Sequence, residues 1–237
     1  MSDKLPLEKR ILFEDNHLIV VNKLPSEIVQ GDKTGDEPLS EALKKYLKEK
    51  YHKPGNVFLG VVHRLDRPVS GVVVFAKTGK ALSRMNELVK LRDMQKIYWA
   101  VVKNRPPQTI GKLLHYLKRD QKKNKSFVSK APGKESKEAI LNYRLLASGE
   151  RYHLLEVDLL TGRHHQIRAQ LAAIGCPVKG DLKYGFSRSN PDASISLHAR
   201  KVSFVHPVKK EKLEITADPP PDVLWDYFLK QVAFSKK

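Results

Sequence analysis

Residues 57–78 read VFLGVVHRLDRPVSGVVVFAKT, and this stretch limits the fold more than any other part of the chain. Two β-branched apolar runs flank a polar segment that carries proline and glycine. Short apolar runs bounded by turn formers read as strands covered on both faces. Residues 63–71 are therefore expected as a loop between buried strands, and chemistry placed in it sits at strand ends.

The same reasoning places the other elements. ILFE and HLIVVN, either side of Asp15 and Asn16, read as two short strands, followed by a loop over residues 24–38. Residues 39–51 set Leu39, Leu43, Tyr46 and Leu47 at helical spacing, with Pro54-Gly55 as the stop. Residues 80–91 repeat that spacing with Leu82, Met85, Leu88 and Val89. IYWAVV reads as a strand, YRLLAS and YHLLEVDLLT as strands flanking a turn at Gly149, and HHQIRAQLAAIG as a helix stopped by Gly175 and Pro177. Residues 118–138 are dominated by lysine and read as an exposed hairpin or mobile loop. A strand-rich order with interspersed helices and hairpins predicts an α+β fold, with a mixed, largely antiparallel central sheet and flanking helices. No shift in composition marks a boundary, so residues 1–237 are expected as a single domain.

Lys and Arg number 44 against 26 Asp and Glu, a formal charge of +18 over 237 residues. That exceeds what solubility requires. It attracts polyanions, either nucleic acid, whose phosphates release counterions on meeting Lys and Arg, or an anionic membrane surface. No helix pairs a strongly basic face with a bulky apolar one, as lipid-surface binding would need. The apolar runs fall short of the ~18 residues that a spanning helix needs. Cys176 is the only cysteine, which excludes an intrachain disulfide and a Cys-based zinc site and fits a reducing, cytoplasmic setting. The terminal Ser-Lys-Lys is too short to be a basic tail.

Asp66 stands between Arg64 and Arg67 in the loop after His63. Flanking cations favour the ionised carboxylate, which covalent attack or proton abstraction at a sugar would use, and the arginines can also grip phosphate. Taken alone, the pattern is a weak motif and reads first as a structural ion pair. A second group, TGRHHQIR over residues 161–168, crowds Arg163, Gln166 and Arg168 at a helix start, where free N–H groups add further donors for a carboxylate or phosphate. A solvated basic face is the plain reading of Arg168. His164 and His165, neighbours on that expected helix, would point apart and could not share a metal ion, and they read as packing or RNA-facing. With no HExxH, GxxxxGKS, GxGxxG or nucleophile elbow in the chain, no metal and no nucleotide cofactor are expected. Tyr98 alternates with Ile97 and Trp99 on its strand, as a core tyrosine or as a flat, polar-tipped ring for a base.

Together these segments resemble the RluA-type pseudouridine synthases. HRLDRPVSGVVVFAKT is similar to the family's His-Arg-Leu-Asp, two variable residues, Thr-Ser-Gly and apolar strand. KIYWAVV resembles its Lys-x-Tyr-x-Ala strand, and TGRHHQIRAQLAAIGCPVKGDLKYG its Thr-Gly-Arg-x-His-Gln-Ile-Arg segment with the following Gly-Asp-x-x-Tyr-Gly. SLHARKVSFVHP resembles the closing Leu-His-Ala and His-Pro strand, and IVVNKLPSE the opening Asn-Lys-Pro segment. The chain departs at Leu24, where proline is usual, and at Val69, where threonine is usual, which removes a hydroxyl near Asp66. It looks like the single-domain subtype, without a small RNA-binding domain ahead of the catalytic one.

The resemblance implies a basic active-site cleft, an RNA substrate of ribosomal or transfer type, and isomerisation of a flipped-out uridine without cofactor or metal. Asp66 would act on the ribose, by adding at the anomeric carbon or by removing a neighbouring proton. Arg163 would pair with that carboxylate, and Tyr98 would stack on the base and assist loss of the carbon-five proton. Arg64 would contact RNA near the flipped nucleotide; the residues themselves, apart from the resemblance, add Arg67, His165, Gln166 and Arg168 as RNA contacts and the lysine-rich residues 113–137 as a segment closing on the RNA stem. A monomer is expected. The competing reading is a non-catalytic RNA-binding or ribosome-assembly factor using the same basic cleft.

Overall fold

A computed structural model of the chain describes residues 5–32 and 34–234. The strands are β1 (Ile11–Glu14), β2 (Leu18–Lys23), β3 (Gly60–Val61), β4 (Ser70–Ala76), β5 (Gln95–Val102), β6 (Ile110–Asp120), β7 (Lys125–Ser129), β8 (Lys137–Ser148), β9 (His153–Leu159), β10 (Leu197–Val205) and β11 (Lys212–Thr216). The helices are α1 (Leu39–Lys50), α2 (Gly79–Leu91), α3 (Gln166–Ala173) and α4 (Val223–Phe234). The α+β class is as expected. The chain also divides into two compact units, Met1–Met94 with Ala199–Asp218 and Gln95–His198 with Pro219–Lys237. Composition gave no sign of this division. The terminal Ser-Lys-Lys lies outside the described residues.

In the first unit the strand order is β1-β2-β4-β10, with β3 beside β4 and β11 beside β10. All seven residues of β4 are buried, as its continuous apolar run requires. Leu18 and Val20 of β2, Val72, Val74 and Ala76 of β4, and Ala81 and Met85 of α2 share one core with Val202 and Phe204. Fully burying each large side chain is worth about 1.5–3 kcal/mol. Thr78 caps α2 by accepting from the Ala81 N–H at 3.1 Å, and Arg92 ends it in the left-handed region. Gly71 has φ +117°, and a Cβ there would stand 2.3 Å from the Ala199 carbonyl oxygen. The motif glycine is thus where two backbones meet with no room for a side chain.

The second unit is a run of antiparallel pairs in the order β5-β9-β8-β6-β7. Trp99 and Val101 on one face of β5, with Leu154 of β9, pack against Trp225 and Phe228 of α4. The sequence reading placed no element at α4, although Trp225, Phe228 and Val232 recur at helical spacing. The lysine-rich segment resolves into a hairpin, β6 paired to β7 from Tyr116↔Ser129 to Asp120↔Lys125. The predicted helix over HHQIRAQLAAIG begins later than expected, at Gln166, because His165 takes φ 54°. Among the described residues no helix is long and apolar enough to cross a membrane.

Candidate active site

In the first unit the HRLDRPV loop alternates between solvent and core. Arg64 is exposed, Leu65 is buried, and Asp66 and Arg67 are half-buried. The loop is tied down by its main chain. Val69 N–H donates to the Asp66 carbonyl at 3.0 Å, and the Arg67 carbonyl accepts from Ser26 N–H at 2.9 Å. Lys23 Nζ also donates to the Arg67 carbonyl at 3.1 Å and to the Leu24 carbonyl at 2.8 Å. Lys23 is fully buried. Burial pushes its ammonium down from the ordinary lysine value to about 7, against the pull of Glu27 and Asp66.

Both departures from the family pattern have a local account. Val69 is 2% exposed, a position where a hydroxyl would need a hydrogen-bond partner and a methyl group needs none. Leu24 donates its N–H to Glu27 Oε2 at 3.0 Å, a bond that proline cannot make. Glu27 in turn takes a bidentate pair from Arg10, at 2.7 and 2.9 Å. Arg67, expected to grip RNA, is engaged within the unit: its Nη2 donates to Asp36 and to Thr34 Oγ1.

In the second unit the TGRHHQIR segment is organised by side chains. Gln166, expected to face RNA, is 3% exposed and acts as a clamp instead. Its Oε1 accepts from Thr161 Oγ1 at 2.8 Å and from Arg163 N–H at 3.0 Å, while its Nε2 donates to the Ile140 carbonyl at 3.1 Å. Arg163 Nε donates to the Glu138 carbonyl at 2.9 Å. Arg168 is not on a solvated face. It is 5% exposed, and its Nε and Nη2 reach Asp181 at 2.6 and 2.9 Å.

His164 and His165 stack, ring centroids 3.8 Å apart, rather than pointing apart. The helical geometry behind that expectation fails because His165 precedes α3 in a left-handed turn. His165, read as packing or RNA-facing, is 8% exposed and packs, its Nδ1 3.1 Å from the Tyr184 hydroxyl. That hydroxyl also accepts from Ser126 N–H at 2.8 Å, and Ser126 Oγ donates to the His164 carbonyl at 2.7 Å. The Gly-Asp-x-x-Tyr-Gly residues therefore brace α3, Asp181 through Arg168 and Tyr184 through His165 and β7.

Tyr98 is 7% exposed on β5, opposite Val157. Two residues earlier on the same face, Lys96 lies against the turn before α3: a Cβ added to Gly162 would stand 3.8 Å from Lys96 Nζ. Sequence reasoning singled out neither Lys96, Lys23, Asp181 nor Tyr184. All four lie within quoted motif segments, which was the available signal.

Comparison with known proteins adds an independent line. Residues 17–173 match the family model described as RNA pseudouridylate synthase. The chain is 31% identical over 232 residues to ribosomal large subunit pseudouridine synthase C of Buchnera aphidicola, covering 94% of this chain and 70% of that protein. It is 32% identical over 230 residues to ribosomal large subunit pseudouridine synthase D of Zymomonas mobilis, covering 92% and 71%. Among solved structures it is similar to human RNA pseudouridylate synthase domain containing 4, with TM-score 0.79, 23% identity, and coverage of 96% of this chain and 94% of that one.

Proposed function

The chain belongs to the RNA pseudouridylate synthase family, and from that premise we propose that it isomerises a specific uridine of ribosomal or transfer RNA, with Asp66 acting on the ribose. The glycosidic bond from the anomeric carbon to N1 breaks, the base turns, and a bond to carbon five replaces it. The carbon-five proton leaves and N1 gains one, so the step is balanced without an oxidant, metal or nucleotide cofactor. The uridine must leave the stack to be reached, at a cost of about a few kcal/mol that stacking and phosphate contacts offset.

The observation that carries this reading is the half-buried Asp66 in a loop pinned through the Arg67 carbonyl by Lys23 and Ser26. A nucleophile or base gains most when its position is fixed before substrate arrives. Tyr98 presents a ring and a hydroxyl to the base, and Arg163 supplies positive charge to the reaction. The β6–β7 hairpin, with Lys118, Lys122, Lys123 and Lys125, lies against the RNA stem. Relatives named for the large ribosomal subunit make its RNA the first substrate to try.

The test is tritium release from transcripts of large-subunit ribosomal RNA and transfer RNA labelled at carbon five of uridine. Wild type should release tritium, while Asp66→Asn should keep its fold and RNA affinity and release none. Substantial residual turnover in Asp66→Asn removes the aspartate from the role. Alanine at the four hairpin lysines should weaken binding and flatten its salt dependence, and an unchanged slope removes the hairpin.

A further inference from the structure

Buried cations in this protein are matched to anions or carbonyl oxygens. Lys77 meets Glu14 at 2.8 Å, Arg10 meets Glu27 at 2.7 Å, and Arg168 meets Asp181 at 2.6 Å. Lys23 donates to two carbonyls. Lys96 differs. It is half-buried on β5, burial pushes its ammonium below the ordinary lysine value with no carboxylate pulling it back, and among the described residues it has no hydrogen-bond or ion-pair partner. An ammonium stripped of water without an anion is unfavourable, and the cost falls when an anion arrives.

Position narrows the kind of anion. Strand alternation puts Lys96 on the face of β5 that carries Tyr98, the other face being filled by the Trp99, Val101, Trp225 and Phe228 cluster. Lys96 Nζ lies beside Gly162, whose bare Cα leaves room next to Arg163. The two terminal nitrogens of Arg163 have no partner among the described residues. An ammonium is a compact charge with three donors and no acceptor, suited to an oxyanion rather than to the mixed donor and acceptor edge of a base.

We propose that Lys96 seats a backbone phosphate of the RNA beside the base that Tyr98 receives, an inference that rests on the reaction assigned above. Because the ammonium is already poorly hydrated, it gives up little water on meeting the phosphate.

Wild type, Lys96→Met, Lys96→Gln and Lys96→Arg, titrated with the same unmodified transcripts over a range of salt concentrations, test the assignment. The Met and Gln variants should bind about tenfold more weakly, and the slope of log affinity against log salt should shrink by about 0.7–1. Arginine should restore the slope. Melting temperatures should not fall, since an unpaired buried charge has been removed. An unchanged slope in whichever of the Met and Gln variants melts with wild type overturns the assignment, as does failure of arginine to restore it. If wild type releases tritium while all the slopes coincide, Lys96 alone is misassigned. If wild type releases none from any transcript, the reaction falls and this inference with it.

Discussion

The loop that carries Asp66 and the turn that carries Arg163 are fixed by opposite means. The first is gripped by its main chain: the Arg67 carbonyl takes two donors, and Gly71 lets the β4 backbone lie against Ala199. The second is gripped by side chains, with Gln166, Thr161, Arg168 and Tyr184 each spending their polar atoms on neighbours. A main-chain grip fixes the backbone and leaves the Arg64 side chain exposed. A side-chain grip leaves fewer groups available, because Gln166 and Arg168, which look like RNA contacts, hold neighbours in their own unit.

The contrast is broken hardest at Gly71. Gly71→Ala adds an atom 2.3 Å from a carbonyl oxygen at φ +117°, and strain plus overlap should cost about 4 kcal/mol or more. Chemical denaturation measures this, and a midpoint near that of wild type would show that the main-chain grip is dispensable. Arg168→Met comes next. It strands the Asp181 carboxylate, which is 1% exposed, so a loss of about 3–5 kcal/mol is expected, or about 10 °C in melting temperature. Adding Asp181→Leu should return much of it, and a double variant as weak as the single would mean that the pair does more than neutralise itself.

The smallest effect is a pH dependence. Lys23 holds its proton to about 10.5 when unfolded but only to about 7 when folded, so unfolding takes up a proton in that window and stability rises with pH. From about pH 7 to about pH 8 the rise should be on the order of 1 kcal/mol. Lys23→Met should lack this component, and identical pH profiles would remove Lys23 as its source.

How far the sequence could be read follows the same division. Buried strands announce themselves through apolar runs, so β2, β4 and the loop between β3 and β4 were legible from residues 18–23 and 57–78. Helices α1 and α2 were legible within a residue because their stripes are regular and their ends marked, by Pro38 and Thr78. The turn at residues 161–168 was legible as chemistry but not as structure. Whether Gln166 or Arg168 faces water depends on partners at residues 140 and 181, and no local pattern encodes a pairing across that distance. The division into two units was equally hidden, because each is assembled from separated stretches.

That assembly has a consequence in time. One edge of β4 is completed by β10, yet the 104 residues from 95 to 198 lie between the parts of the first unit. At ordinary rates of synthesis roughly 5–20 s pass before β10 can emerge. Throughout that interval a strand that ends fully buried has already left the ribosome with an unfinished edge, the kind of surface that pairs with wrong partners. The order of manufacture thus makes the Asp66 loop, early in the chain, one of the last parts to become secure.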